Sequence, residues 1–339
     1  MLKNKTNSLI ILILATLLFG ACKKLLPTDK DAFNAEAGFT QTVYQPVLGR
    51  TNVMSNNFNS QGSSLPLSFK IVGIRNSDGI SAPELLKSFP ISVWKKAYDG
   101  SEKTLAEIEQ KRVIEEHPFF EIRQHSGELI MWSEATSNIV KSFPDSGYVF
   151  DVEVSNSGGR KYYNGLKLQP YKERAYEPNN INPITGTSTG GNIFPSSVEN
   201  LMGEASSSFL SFGDINISFH RKGDGNSLSF KFLDTLSNPI DPAKFKLTNW
   251  AKLVHGFNMR MTATEVTYDV AYPIPCVLIP TPYTTTDGRK ASVVFSYDRM
   301  GFGGMRQVAK LGFDFSIFQK GSWDIIIWFK TDNPKFTDD

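Results

Sequence analysis

Two carboxylates stand two residues apart in "FDVEVSN", Asp151 and Glu153. On an extended strand that spacing sends both to one face. Paired acids on one face suit a calcium ion, or a glycosidic bond held between two carboxyls roughly 5 to 9.5 Å apart. Val152 and Val154 alternate with them, the pattern of any half-buried strand, so neither acid is taken as catalytic. Four histidines are dispersed, His117, His125, His220 and His255, and no H-E-x-x-H or Cys/His cluster exists. No metal site is expected from that arrangement. The glycines of "DRMGFGGMRQ", Asp298 to Gln307, lack the strand–G-x-G-x-x-G–helix order of a dinucleotide cradle and read as a turn or bulge. Cys276, inside apolar "YPIPCVLIP", reads as a small buried hydrophobe rather than a nucleophile. No catalytic residue and no cofactor are expected.

The aromatic residues are the stronger lead. "SWDIIIWFK" places Trp323, Ile325, Ile327 and Phe329 on one face, leaving Trp328 outward on the other. Trp132 shares a face with Ile130 and Glu134, and Tyr162 and Tyr163 point to opposite sides of a strand. A flat ring with a polar edge suits stacking on a sugar as well as a protein interface. Trp132, Tyr163 and Trp328 are therefore the candidate glycan contacts.

Strands must position these rings. "LPLSFKIVGIR" alternates, with Leu65, Leu67, Phe69 and Ile71 on one face, and "SFPISVWKKAY" reads as another strand. "KTLAEIEQKRVIEE" reads as the single helix, with Leu105, Ile108 and Val113 on one stripe and Glu107 four residues before Lys111. "SGYVFDVEVSNSGGRKYYNGLKL" reads as a hairpin turning at Ser157-Gly158-Gly159. "PDSGY", ending at Tyr148, resembles the corner of immunoglobulin-like sandwiches, where a tyrosine hydroxyl bonds back to the backbone. Residues 51–64 read as loop. Beyond an Asn/Pro/Gly/Ser/Thr-rich stretch starting at Glu177 the pattern is almost wholly β. Hairpins are expected around Gly223-Asp224-Gly225 and Lys320-Gly321, with a further turn at Asp287-Gly288.

The expected fold is mainly β: two antiparallel, immunoglobulin-like β-sandwich domains, the first with one helix. The boundaries read as 22–40 tether, 41–180 N-terminal domain, 181–199 linker and 200–339 C-terminal domain. Residues 1–21 read as a signal peptide. Lys3 and Lys5 precede an apolar run from Leu9 to Phe19, which is too short for the roughly 20 residues of a spanning helix. Gly20-Ala21-Cys22 then resembles the lipobox of bacterial lipoproteins, with Phe19 in place of the commoner leucine. That resemblance implies cleavage before Cys22 and acylation of its sulfur and new amino group, a stable anchor once several chains are attached. The whole chain has 36 Lys+Arg against 34 Asp+Glu. Without the first 21 residues the formal charge is zero, which disfavours nucleic acid.

"APELLKSFPISVWKKAY", "EIRQHSGELIMW", "PDSGYVFDVEVSNSGGRKY", "LVHGFNMRMT", "DVAYPIPC" and "FSYDRMGFGGMR" together resemble a family of Bacteroidota lipoproteins, domain of unknown function 5007. Members often lie beside outer-membrane glycan importers, which implies carbohydrate uptake by association. The resemblance carries no catalytic residues. Surface-exported lipoproteins of that phylum usually carry acids after the cysteine, whereas Lys23-Lys24 follow Cys22 here, so the cell-surface and periplasmic faces of the outer membrane both stay open. The leading expectation is an anchored, non-enzymatic protein that captures polysaccharide beside an importer complex. A structural lipoprotein holding envelope proteins is the alternative, and a glycan hydrolase comes third.

Overall fold

The computed structural model describes residues 32–339, so the expected signal peptide and the acylation site Cys22 lie outside the described residues. The chain is mainly β, arranged in several sheets around two large apolar clusters. The first cluster is built on the expected hairpin. Tyr148–Asn156 pairs with Gly159–Leu168, Asn156 opposite Gly159, and Ser68–Asn76 adds to the other edge of Tyr148–Asn156. Tyr148, Phe150, Val152 and Val154 point inward, fully buried. The Tyr148 hydroxyl accepts a hydrogen bond from the Lys141 backbone N–H at 2.7 Å, so the corner forms as its sequence suggests. A register shift at Asp151/Val152 re-aims Ser68–Asn76, which buries Phe69 on one side of the shift and Ile74 on the other. Leu65, expected on the inner face, is 72% exposed because pairing begins only at Ser68.

Three segments differ from their sequence reading. The chain is already docked at its described start. Ala37, in the expected tether, is buried, and Asn52–Met54 and Phe58–Asn59, in the expected loop, are short strands. The helix is confined to Leu105–Glu109, capped by the Thr104 hydroxyl. Glu102 has a buried carboxylate that needs a cation, and Lys111 supplies it while donating to the Ala97 carbonyl at 2.7 Å. That pairing takes Lys111 out of the helical path. β-Branched Val113 and Ile114 then pair with Val93 and Ser92 in the ribbon of Ser88–Trp94 and Arg112–Pro118.

The third difference sets the topology of the second cluster. Ile215–Gly223 and Ser227–Leu233 do not form a hairpin, because Ser322–Phe329 lies between them, antiparallel to the first and parallel to the second. Nor does Ser322–Phe329 pair with Met305–Ile317, which belongs to another sheet with Ala291–Gly301. The physical reason is burial on both edges. "IIIWF" is a β-branched and aromatic run that a central strand satisfies better than an edge. Phe219, Ile325 and Phe230 fall in one inward row across the three strands. Opposite them stand Phe295, Phe313 and Phe315 of the other sheet, with Phe232 and Phe295 edge-to-face at 4.9 Å.

Residues around the expected linker also join this second cluster. Tyr176–Glu177 and Ser197–Glu199 both pair with Met305–Ile317, and Ile193 is buried in the core. The Asp287-Gly288 turn forms as read. Gly288 has φ +71°, and a Cβ there would stand 2.1 Å from the Ile279 carbonyl carbon, so only glycine fits. The glycine cluster forms the Gly301–Met305 turn of the longest hairpin.

Candidate functional site

The two halves meet where residues 94–110 reach the second sheet. The Tyr98 hydroxyl bonds to His255 Nδ1, and His255 Nε2 lies 2.8 Å from the Glu102 carbonyl oxygen. A carbonyl only accepts, so Nε2 carries the proton and Nδ1 accepts from the phenol. Tyr283 stacks on the imidazole with centroids 4.9 Å apart. Tyr98, Ile108 and Ala271 form a small third cluster with Leu105, Phe257 and Cys276 against it. Burial pushes the Cys276 thiol up to about 11, so it stays protonated and packs as a hydrophobe.

Beside this clasp opens a pocket of ≈ 300 Å³. Its floor is one row across four strands: Phe257 opposite Asp269, Asp269 opposite Ser227, Ser227 opposite Ser322. Leu105 and Thr104 form the wall contributed by the first half, with Asn226 and Lys103 also lining it. A register shift between Phe257 and Arg260 holds Asn258 at φ +50°, a backbone region that few non-glycine residues adopt. From there the Asn258 amide donates to Asp269 Oδ2 at 2.8 Å, while Arg260 donates to Oδ1 at 2.9 Å. Arg260 is the main influence holding the Asp269 carboxyl below the usual carboxylate range; partial burial opposes it and Asn258 assists. Asp269 is thus a fixed anion and the only acid in the lining. The pocket offers hydroxyl, amide, carboxylate and, from Lys103, ammonium groups beside one aromatic ring, a set suited to a small polyhydroxylated ligand. A second depression, ≈ 320 Å³, is formed by residues 137–145 and Lys172 and brings together fewer distant segments.

The three aromatic candidates are not brought together. Tyr163 sits in a ring cluster with Phe39 and Phe58, its hydroxyl bonded to the Ala37 carbonyl. Trp328 is half-buried on the outer face of the second sheet, its indole N–H donating to the Asp234 carbonyl at 3.0 Å. Trp132 is also half-buried and donates to Glu121 Oε1 at 3.1 Å. Asp151 and Glu153 do share the outer face, where Arg75 and Arg160 neutralise them. Among the described residues no group of three or more His, Cys, Asp or Glu is placed to hold a metal. Phe257, Asn258 and Asp269 were not singled out from the sequence, where Phe-Asn-Met-Arg-Met alternates as any half-buried strand does.

His117, against the Trp132 ring, lies between Glu121 and Glu115, each 3.2 Å away. Burial is the largest influence and lowers its pKa, but the two carboxylates together outweigh it, and the net shift is upward. The clamp's contribution to stability is therefore full below the unfolded value of about 6.5 and is lost as pH rises through the folded value. An NMR titration should place His117 above free histidine, and Glu121→Gln should bring it down. A His117 midpoint below that of a free imidazole would refute the clamp.

The fold and site define a mainly β protein with a polar, one-acid pocket at the meeting of its two halves. The chain belongs to the family described as a domain of unknown function (DUF5007), whose model matches residues 58–338. No curated protein and no solved structure matches it.

Proposed function

We propose that the chain is a carbohydrate-capturing lipoprotein, held in the outer membrane of a Bacteroidota cell by acylated Cys22 and working beside a glycan importer. In this reading its two halves are sandwich domains of immunoglobulin-like kind, and the pocket between them takes a sugar. The observation that carries it is the row Phe257, Asp269, Ser227 and Ser322. Phe257 packs on the apolar face of a pyranose while Asp269, Asn258 and the serines take its hydroxyls. A single acid in the lining favours binding over the two-carboxylate hydrolysis of glycosidic bonds.

Titration calorimetry against a panel of polysaccharides tests it. Phe257→Ala is expected to weaken the best ligand ~10- to 100-fold, the equivalent of about 1.5–3 kcal/mol for a lost aromatic contact. Asn226→Ala, at a lesser contact, should weaken it by a smaller factor. Flat isotherms with every polysaccharide would overturn the reading.

One feature favours a second reading, an assembly lipoprotein. The tip of the long hairpin exposes Phe302 (94%) and Met305 (72%), an apolar pair that a partner protein could cover. A stoichiometric partner recovered with the wild type and lost with Phe302→Asp would support that role.

A further inference from the structure

We infer that the pocket is the end subsite of a track, in which a linear, uncharged polysaccharide lies along the outer face of the second sheet and ends on Trp328. The inference rests on the carbohydrate reading above and specifies its ligand as a polymer.

The central strand supplies the line. Ser322 belongs to the pocket, and Asp324, Ile326 and Trp328 follow it at every second residue on the same face. At ~3.3 Å per residue the run from Ser322 to Trp328 is ~20 Å, long enough for several linked sugars. Flanking strands keep the lane polar. His220 stands opposite Asp324, and Lys231 and Ser218 stand opposite Ile326, whereas Ser229, also opposite Asp324, is fully buried. Residues 94–110 pack at the pocket end, whereas His220, farther along opposite Asp324, is exposed.

Charge selects the class of polymer. Asp324 is ion-paired to both Lys222 and Lys231 at 2.7 Å, and Lys231 also reaches Glu265 at 3.1 Å. These two cations and two anions cancel, so the lane carries no net field to attract a polyanion. Asp324 is buried beneath the two lysines, so it is their ammonium groups, with three donors each, and the half-buried Glu265 carboxylate that retain capacity for sugar hydroxyls. Trp328 is suited to the far end. Its indole N–H is already bonded to the Asp234 carbonyl, which fixes the ring and leaves its surface for stacking.

The test is titration of the full chain with neutral gluco-, xylo- and manno-oligosaccharides, each from monosaccharide to hexasaccharide. For the series that binds, affinity should rise ~10-fold or more from disaccharide to hexasaccharide as the lane fills. Trp328→Ala should remove most of that gain and leave disaccharide binding unchanged. His220→Ala, at an exposed site that does not support the fold, should reduce the gain several-fold; circular dichroism checks that both variants fold. Equal wild-type affinities for disaccharide and hexasaccharide would overturn the track while leaving the pocket reading intact. So would folded Trp328→Ala and His220→Ala proteins that keep the full gain. Tighter binding of acidic than neutral oligomers would overturn the charge argument, and no binding by any series would overturn both the track and the pocket reading.

Discussion

Ile326→Pro is expected to prevent the second core from folding, while Ile326→Thr is tolerated. Ile326 is half-buried on the outer face, so its side chain is not what the proline variant would lose most. Its backbone lies between Ser218 on one strand and Lys231 on another. Proline removes the N–H, and its fixed φ conflicts with a central strand whichever neighbour that N–H serves. A stranded buried carbonyl costs about 1–3 kcal/mol by itself. The larger loss is indirect. Trp323, Ile325, Ile327 and Phe329 are held in register by the same strand, and all are buried. Displacing even one such side chain costs about 2–5 kcal/mol. Threonine keeps the β-branch and the N–H, so only a modest loss follows. Urea unfolding followed by circular dichroism would compare the two, and an Ile326→Pro chain of near wild-type stability would refute the central placement of Ser322–Phe329.

Tyr98→Ala should give the second large effect, at the junction of the halves. The ring is 7% exposed and its deletion is expected to cost about 3–5 kcal/mol, as for other large aromatic truncations. His255 Nδ1 would lose its donor, and the 94–110 segment would lose its main contact with the second sheet. Because Leu105 and Thr104 form a wall of the pocket, ligand affinity should fall with stability. Tyr98→Phe removes only the hydroxyl and should cost about 1 kcal/mol. Hydrogen exchange localises the effect: faster exchange over residues 94–110 in Tyr98→Ala, with little change around Tyr148, is the expected result. Uniform acceleration through both cores would mean that the clasp is not a local joint.

Local features were legible where the physics is local. The Tyr148–Leu168 hairpin follows from alternating residues around Ser157-Gly158, and the Asp287-Gly288 turn from a glycine requirement at positive φ. The inward face of "SWDIIIWFK" follows from period two, and Trp323, Ile325, Ile327 and Phe329 are all buried. The helix was overread for a different reason. Val113 fits a helical stripe equally well, but the buried Glu102 carboxylate recruits Lys111 and ends the helix first. That contact spans nine residues, beyond the reach of helical periodicity.

The pocket was not legible at all. Its row draws on 256–261, 266–270, 227–233 and 322–329, and its wall on 104–105. Alternation along a strand tells which face a side chain takes and never which strand lies beside it. By itself, the sequence determined the β character, the turns at Ser157–Gly159 and Asp287-Gly288 and most of the inward faces, because these depend on φ, ψ and burial within a few residues. Only the tertiary structure decided that Ser322–Phe329 lies between two strands nearly a hundred residues earlier. The gain there is burial of both edges of one apolar strand, and that energy exists only once distant segments meet.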